Sequence, residues 1–265
     1  MMTKLSNTAL NAFAAAALTF LYIPVVVVIL FSFNDNRLMK LPLSGFTLKW
    51  YEALYSNDVL TAALLNSLYV SFFATVISLI VGTVAAFALH GHEFPGKGLF
   101  RKAILMPISL PGIIIGIAIL NFSMAIGLKL GLSLVIFGHT SMLLAIVVTQ
   151  VFARLESMDQ SLQDAAGDLG ASPWQTFMRV TLPNIASALL GSALLSFTVS
   201  FDDVPITFFL TGRENTLPMY IYSSLRRGPS PEINAVSTLI LVVSLILIIF
   251  SVRMLANPAK RAQAQ

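Results

Sequence analysis

Cysteine is absent from this chain of 265 residues. That excludes disulfides and thiolate metal sites, and it leaves the redox compartment unmarked. Charge is also scarce: Asp, Glu, Lys and Arg make up 11% of the residues, where a soluble domain carries roughly 25%. The three histidines, His90, His92 and His139, do not form a metal-binding spacing,. No serine stands in a general-base pattern. The chain therefore has no catalytic constellation, is not read as an enzyme, and calls for no metal or cofactor of its own. What fills it is apolar, with 57% hydrophobic residues and a mean hydropathy of +0.84. This composition belongs to an all-α integral membrane protein, with the lipid bilayer as its first partner. The formal net charge of +4 is spread over short loops rather than gathered on one face, so nucleic acid is not a partner.

Six apolar runs are long enough to be spans of a core about 30 Å thick. They are Ala9–Phe33, Leu60–Leu89, Ala103–Ile126, Ser133–Phe152, Asn184 to about Leu210, and Ile233–Leu255. The first exceeds the apolar core of a signal peptide and is kept as a span. Between the first two lies a polar connection carrying Trp50 and Tyr51, which fit a membrane interface. The third run holds Pro107, Pro111 and the close-packing pair Gly112 and Gly116,. Six spans put both termini on one side. Lys97, Arg101 and Lys102 crowd one short loop and Lys260 and Arg261 end the tail, which favours that side as the inner one over the side with Lys49, Arg213, Arg226 and Arg227,.

Two motifs invite chemistry and do not hold it. Gly91–Gly98, GHEFPGKG, begins like a phosphate-binding loop. Gly98 stands where Ser or Thr must hold Mg²⁺, and an apolar span precedes it instead of a buried strand. A tight turn is the better reading. His139, alone near the start of the fourth run, reads as an interface or packing residue.

Two polar features remain. One is the adjacent pair Asp202 and Asp203, about 26 Å along the fifth run from Ile185. Each would cost about 2.5–3.5 kcal/mol at depth in the bilayer, so acids there face a bundle interior or water. They form either an acidic point on a path for a cationic solute or an interfacial pair held by Arg213 or water. Neighbours on a helix point about 100° apart, so the two need not act alike.

The other feature is Ser161–Ile185, SLQDAAGDLGASPWQTFMRVTLPNI. Ser161 and Asp164 have the form of a helix cap and its N3 partner, and Gly170 is a helix stop. Ser172, Pro173 and Gln175 start a second helix, expected to run to about Val180 and to end before Pro183. Two short helices with a glycine bend and apolar faces, including Leu169 and Trp174, suggest a docking knuckle.

This stretch resembles a loop found in the inner-membrane subunits of binding-protein-dependent ABC importers, with the pattern E-A-A-x3-G-x9-I-x-L-P. Here Asp164, Ala165, Ala166, Gly170, Val180, Leu182 and Pro183 occupy its places, with Asp for Glu and Val for Ile. The stretches Tyr22–Asp35, Phe46–Leu54, Ser200–Gly212 and Leu217–Leu241 resemble the permease subunits of spermidine/putrescine importers, so that the likeness covers nearly the whole chain. Permeases for opines, thiamine, phosphonates and iron share much of the pattern. The resemblance implies a type I importer permease fold, with residues 1–265 as a single membrane domain, cytoplasmic termini and a coupling loop at 154–183. It implies a bacterial inner-membrane location. It also implies a second, homologous permease, two ATPase subunits that hold ATP and Mg, and an extracytoplasmic solute-binding protein. Asp164, Ala165, Ala166, Gly170, Ser172, Trp174, Leu182 and Pro183 would meet the ATPase or shape the loop that does. Asp164 would pair with the ATPase or cap its own helix. The solute would be a polyamine, with an opine or another small solute as the alternative, and an ATP-independent transporter as the more distant one.

Overall fold

Prolines and glycines decide where the helices of this chain stop or bend. The computed structural model describes residues 2–37, 39, 40, 42–226, 228 and 230–262, with side chains described between 10 and 246 of these. Arg227 lies outside the described residues, and the side chains of Lys260 and Arg261 lie outside the described ones. In chain order the helices are α1 (Met2–Ser32), α2 (Lys49–Tyr55), α3 (Asp58–Gly91), α4 (Lys97–Ser109), α5 (Gly112–Ala125), α6 (Leu132–Glu156), α7 (Ser161–Asp168) and α8 (Pro173–Thr176). A π-helical turn, Phe177–Thr181, leads into α9 (Leu182–Phe201), and α10 (Pro205–Leu210), α11 (Leu217–Arg226) and α12 (Pro231–Ala262) follow. Among the described residues there is no strand, only an isolated bridge between Asn34 and Phe46.

The chain divides into two compact units. The first comprises the described parts of 1–58 and 223–265. In it α1 and α2 both pack on α12. Trp50 is buried inside this unit. It is 5% exposed, and its indole N–H donates to the Asn34 carbonyl at 2.7 Å, which clips α2 to the end of α1.

The second unit is 59–222, and α6 is its central post. Val135, Leu143, Ala145, Val147 and Val151 on α6 are fully buried. One layer packs Val70 of α3, Ile115 of α5 and Ile206 and Leu210 of α10 around the start of α6. A second packs Ala86 of α3 and Ile185 of α9 around its far half. In hydrocarbon the gain here is close packing, since lipid is as apolar as leucine, and small residues set how near the helices come. A side chain at Gly138 would meet Leu210 and Ile206 of α10 at 2.6 and 2.7 Å, and one at Gly116 would meet the Pro205 carbonyl at 3.2 Å. The glycines of α5 and α6 thus form the seat of α10.

Among the described residues four helical stretches are long and apolar enough to cross a membrane: Leu10–Ser32, Asp58–Gly91, Leu132–Glu156 and Pro173–Phe201. The expected third span is not one straight helix. α4 and α5 meet at a bend of 112°. Pro111 has no N–H to continue α4, and its ring drives Leu110 into an extended conformation, φ −95° and ψ 138°,. The freed Pro107 carbonyl is taken by the Leu110 N–H at 3.2 Å. If the bent pair counts as one crossing, the total is five. The expected fifth span is also interrupted. α9 stops at Phe201 and α10 begins only at Pro205, because Pro205 offers no N–H to the Phe201 carbonyl four residues back.

Candidate functional site: a helical knuckle and an acidic helix break

The knuckle is two helices with a glycine bend, but its start is built differently from the sequence expectation. Ser161 does not cap α7. Asp159 does the equivalent work two residues earlier, its carboxylate accepting the Ser161 N–H at 2.9 Å. That backbone contact first, and the Ser161 hydroxyl second, hold the Asp159 carboxyl below its ordinary value of 3.8,. The N-cap position belongs to Gln160, whose side chain makes no cap bond. Its carbonyl accepts from Gln163 and Asp164. Asp164 and Ala165 are exposed on the first turn, and Ala166 is half-buried.

The end of α7 is a Schellman closure. The Gly170 N–H donates to the Gly167 carbonyl at 2.8 Å, and the Ala171 N–H reaches back to Ala166 at 3.0 Å. This closure needs a left-handed residue, and Gly170 has φ +79°,. Ser172 then opens α8 with a full capping box: its hydroxyl accepts the Gln175 N–H at 3.3 Å, and the Gln175 side-chain oxygen accepts the Ser172 N–H at 2.8 Å. Pro173 sits in the first turn. Leu169 is 89% exposed and Trp174 65%. Trp174 stacks on Phe177, which in turn meets Phe87 of α3 edge-on.

The second helix of the knuckle does not end before Pro183. It runs through the π turn into α9, so that Pro173–Phe201 is one helical rod of 29 residues, about 43 Å long. The π turn explains how. Pro183 cannot donate to the Arg179 carbonyl, and its ring crowds that carbonyl. Widening the coil by one residue relieves the crowding. The Leu182 N–H then bonds Phe177, five residues back, and the Asn184 side chain donates to the Val180 carbonyl at 2.8 Å. Two contacts tie the turn to its neighbours. Arg154 of α6 donates to the Asn184 carbonyl at 2.8 Å, and Gln163 of α7 donates to the Thr181 hydroxyl at 3.3 Å. Leu182 is half-buried against the second core layer, while Pro183 is exposed.

At the other end of the rod the two acids part ways. Asp202 is exposed. Asp203 turns inward, its side chain 8% exposed. Its Oδ1 accepts the N–H groups of Ile206 and Thr207 at 3.0 and 3.1 Å, closing the start of α10. The fully buried His139 of α6 reaches the same carboxylate, Nε2 to Oδ1, at 3.2 Å. His139 Nε2 also lies 3.0 Å from the Thr207 hydroxyl, and Nδ1 lies 2.7 Å from the Ser200 hydroxyl on the last turn of α9. Arg213 plays no part in this contact set. The role of His139, Ser200 and Thr207 was invisible in the sequence. They are 61 and 68 positions apart, and a lone histidine among apolar residues carries no spacing signal.

Comparison with known proteins shows the family. Residues 74–262 match the family described as binding-protein-dependent transport system inner membrane component. The chain is 37% identical over 242 residues to the spermidine/putrescine transport system permease protein PotC of Escherichia coli K12, covering 91% of each chain. It is 35% identical to PotC of Haemophilus influenzae, covering 91% of this chain and 94% of that one. It is also 36% identical to the putrescine transport system permease protein PotI of Escherichia coli K12, covering 84% and 82%. In fold it resembles a chain of a bacterial ABC transporter that imports alginate, with TM-score 0.74 at 16% identity over 95% of this chain and 96% of the other. It also resembles a chain of the MetNI methionine ABC transporter, with TM-score 0.59 at 20% identity over 78% and 95%. This chain belongs to the family of inner membrane components of binding-protein-dependent transport systems.

Proposed function

We propose that the chain is the permease subunit of an ATP-driven importer that carries a polyamine, of the spermidine or putrescine kind, across the bacterial inner membrane. The observation that carries the solute is the 35–37% identity to permeases named for those amines. The spacing of Asp164-Ala165-Ala166, Gly170, Leu182 and Pro183 supports the ATP-driven part. Both compact units serve one permease domain, 1–265, with six crossings and both termini in the cytoplasm. The bent α4–α5 pair is one of those crossings. A homologous second permease completes the path, and two ATPase subunits bind and hydrolyse ATP with Mg. A solute-binding protein delivers the amine from outside.

In this reading the loop 154–183 docks on an ATPase. Leu169 and Trp174 supply its exposed apolar contact area, Ala165 lets the partner approach, and the exposed Asp164 faces a basic group of the ATPase. Gly170 and the Ser172 box hold the two helices at a fixed angle. Motion of the knuckle enters the rod at Pro173 and travels through the π turn, which Gln163, Arg154 and Pro183 keep in one geometry. It arrives at the break after Phe201. There Asp202 offers its carboxylate to an ammonium group on the path, while Asp203 shapes the break. Thermal-shift screening of the cognate binding protein against spermidine, putrescine, opines and amino acids tests the solute. Stabilisation by the two amines supports the reading, and stabilisation only by another class replaces it.

A further inference from the structure

We infer that His139 is a positioning residue for solute selection: it sets the direction of the Asp202 carboxylate by pinning the two helix ends on either side of it. This deepens the reading of Asp202 as the group that meets the amine, and rests on it. Asp202 has little of its own to hold it. It is exposed, one residue past α9 and three before α10. Where its carboxylate points follows from how α9 ends and how α10 begins. One buried imidazole touches both. Nδ1 takes Ser200 in the last turn of α9, and Nε2 takes Thr207 and Asp203 at the start of α10.

The anchor side of this contact is rigid. His139 stands on α6, the most deeply packed helix of its unit, between the fully buried Val135 and Leu143. The adjacent Gly138 brings α10 into direct contact with α6, and the Leu210 carbonyl accepts the Gly131 N–H at 3.0 Å. α10 is therefore fixed to α6 by packing as well as by polar contacts. α9 also lies along α6, with Ile185, Ser192 and Ser196 buried, and Ser200–His139 is its polar tie to α6 at this end. A polyamine presents ammonium groups at set separations along its chain. A carboxylate whose position is fixed discriminates between such separations, and one that swings does not.

The absence of cysteine makes a direct test available. The full complex with Asp202→Cys is treated with a charged, membrane-impermeant thiol reagent, and the labelling rate at position 202 is compared with and without His139→Ala. In complexes that keep Asp202, separate uptake rates of labelled spermidine and labelled putrescine give a ratio that does not depend on how much complex is present. The expected result is a labelling rate altered by about threefold or more, and a rate ratio shifted by a similar factor. His139→Gln, which keeps an N–H donor, is expected to recover part of both. Should His139→Ala fail to assemble, Ser200→Ala removes only the α9 tie and is expected to move both readouts in the same direction. An unchanged labelling rate in the assembled variants overturns the proposal, as does an unchanged ratio with both uptake rates lowered equally. If the wild-type complex takes up neither amine, the polyamine reading fails instead, and the labelling rate alone decides the role of His139.

Discussion

Asp203 Oδ1 stands 3.2 Å from His139 Nε2 while accepting the N–H groups of Ile206 and Thr207, so one carboxylate oxygen both closes α10 and ties it to α6. Its neighbour Asp202 is exposed. The adjacent acids therefore have different work, and substitution separates them. Asp203→Ala is expected to lower stability by about 1 kcal/mol, the usual value of a helix N-terminal cap, and to reduce the amount of complex in the membrane. Asp202→Asn is expected to leave the amount and melting temperature unchanged and to depress amine uptake about tenfold, the value of one charge-assisted contact. Measuring both on purified complex and in uptake checks the division. Equal loss of stability in the two variants would contradict it.

Gly170 meets nothing within 4 Å of where a side chain would start, yet its φ is +79°. A replacement there is strained by the backbone alone. Gly170→Asn is expected to retain most uptake, because Asn tolerates the left-handed region. Gly170→Val is expected to lose about 1–2 kcal/mol at the bend and to uncouple ATP hydrolysis from uptake. ATPase and uptake rates measured together on both variants check this ordering; a normal uptake-to-hydrolysis ratio in Gly170→Val contradicts it.

Pro183 is the reason for the π turn. Pro183→Ala supplies the missing N–H and removes the ring, so the coil is expected to tighten to ordinary α-helix. Taking one residue out of a turn rotates the knuckle by about 100° against α9. The thermal stability should not fall, while coupling should be lost. Cross-linking of Gln163→Cys to Thr181→Cys by a short bifunctional thiol reagent, readable in a chain with no other cysteine, should be efficient with Pro183 and weakened in Pro183→Ala. Equal cross-linking in both would sink the role given to the turn.

Asp159 gives the knuckle a defined pH behaviour. Its carboxyl lies below 3.8, chiefly through the Ser161 N–H. A depressed carboxyl contributes its anchoring above the unfolded value and loses it only as pH falls through the folded one. Corrected for intrinsic exchange, hydrogen-exchange protection at Ser161 should be flat from about pH 8 to pH 5 and fall only at more acid values. Loss of protection near neutrality would contradict the anchor.

How much of this was readable beforehand divides by the range of the physics. The Ser172–Gln175 box and the Gly170 stop are local, decided within four residues, and their sequence signature is matched by the geometry. The helical character of the apolar runs is likewise a matter of composition. The misreadings lie where tertiary context overrides a local rule. Pro183 reads as a terminator, but a π turn with Asn184 as a substitute donor carries the helix through it. Ala103–Ile126 reads as one span, and at Pro111 it bends by 112°. Ser161 reads as a cap, and Asp159, two residues earlier, takes that role. His139 could not be paired with Ser200 and Asp203 from one sequence, because only the fold brings α6, α9 and α10 together.

The most direct test of the whole account is uptake of labelled spermidine into proteoliposomes holding this chain, its partner permease and the ATPase subunits, with ATP inside and loaded binding protein outside. The account predicts uptake that needs ATP hydrolysis and the binding protein. It also predicts that Trp174→Ala, a change at a side chain 65% exposed, weakens the ATPase contact by about 1–2 kcal/mol and lowers uptake without lowering the melting temperature. Uptake that persists without ATP and follows a proton gradient would contradict it.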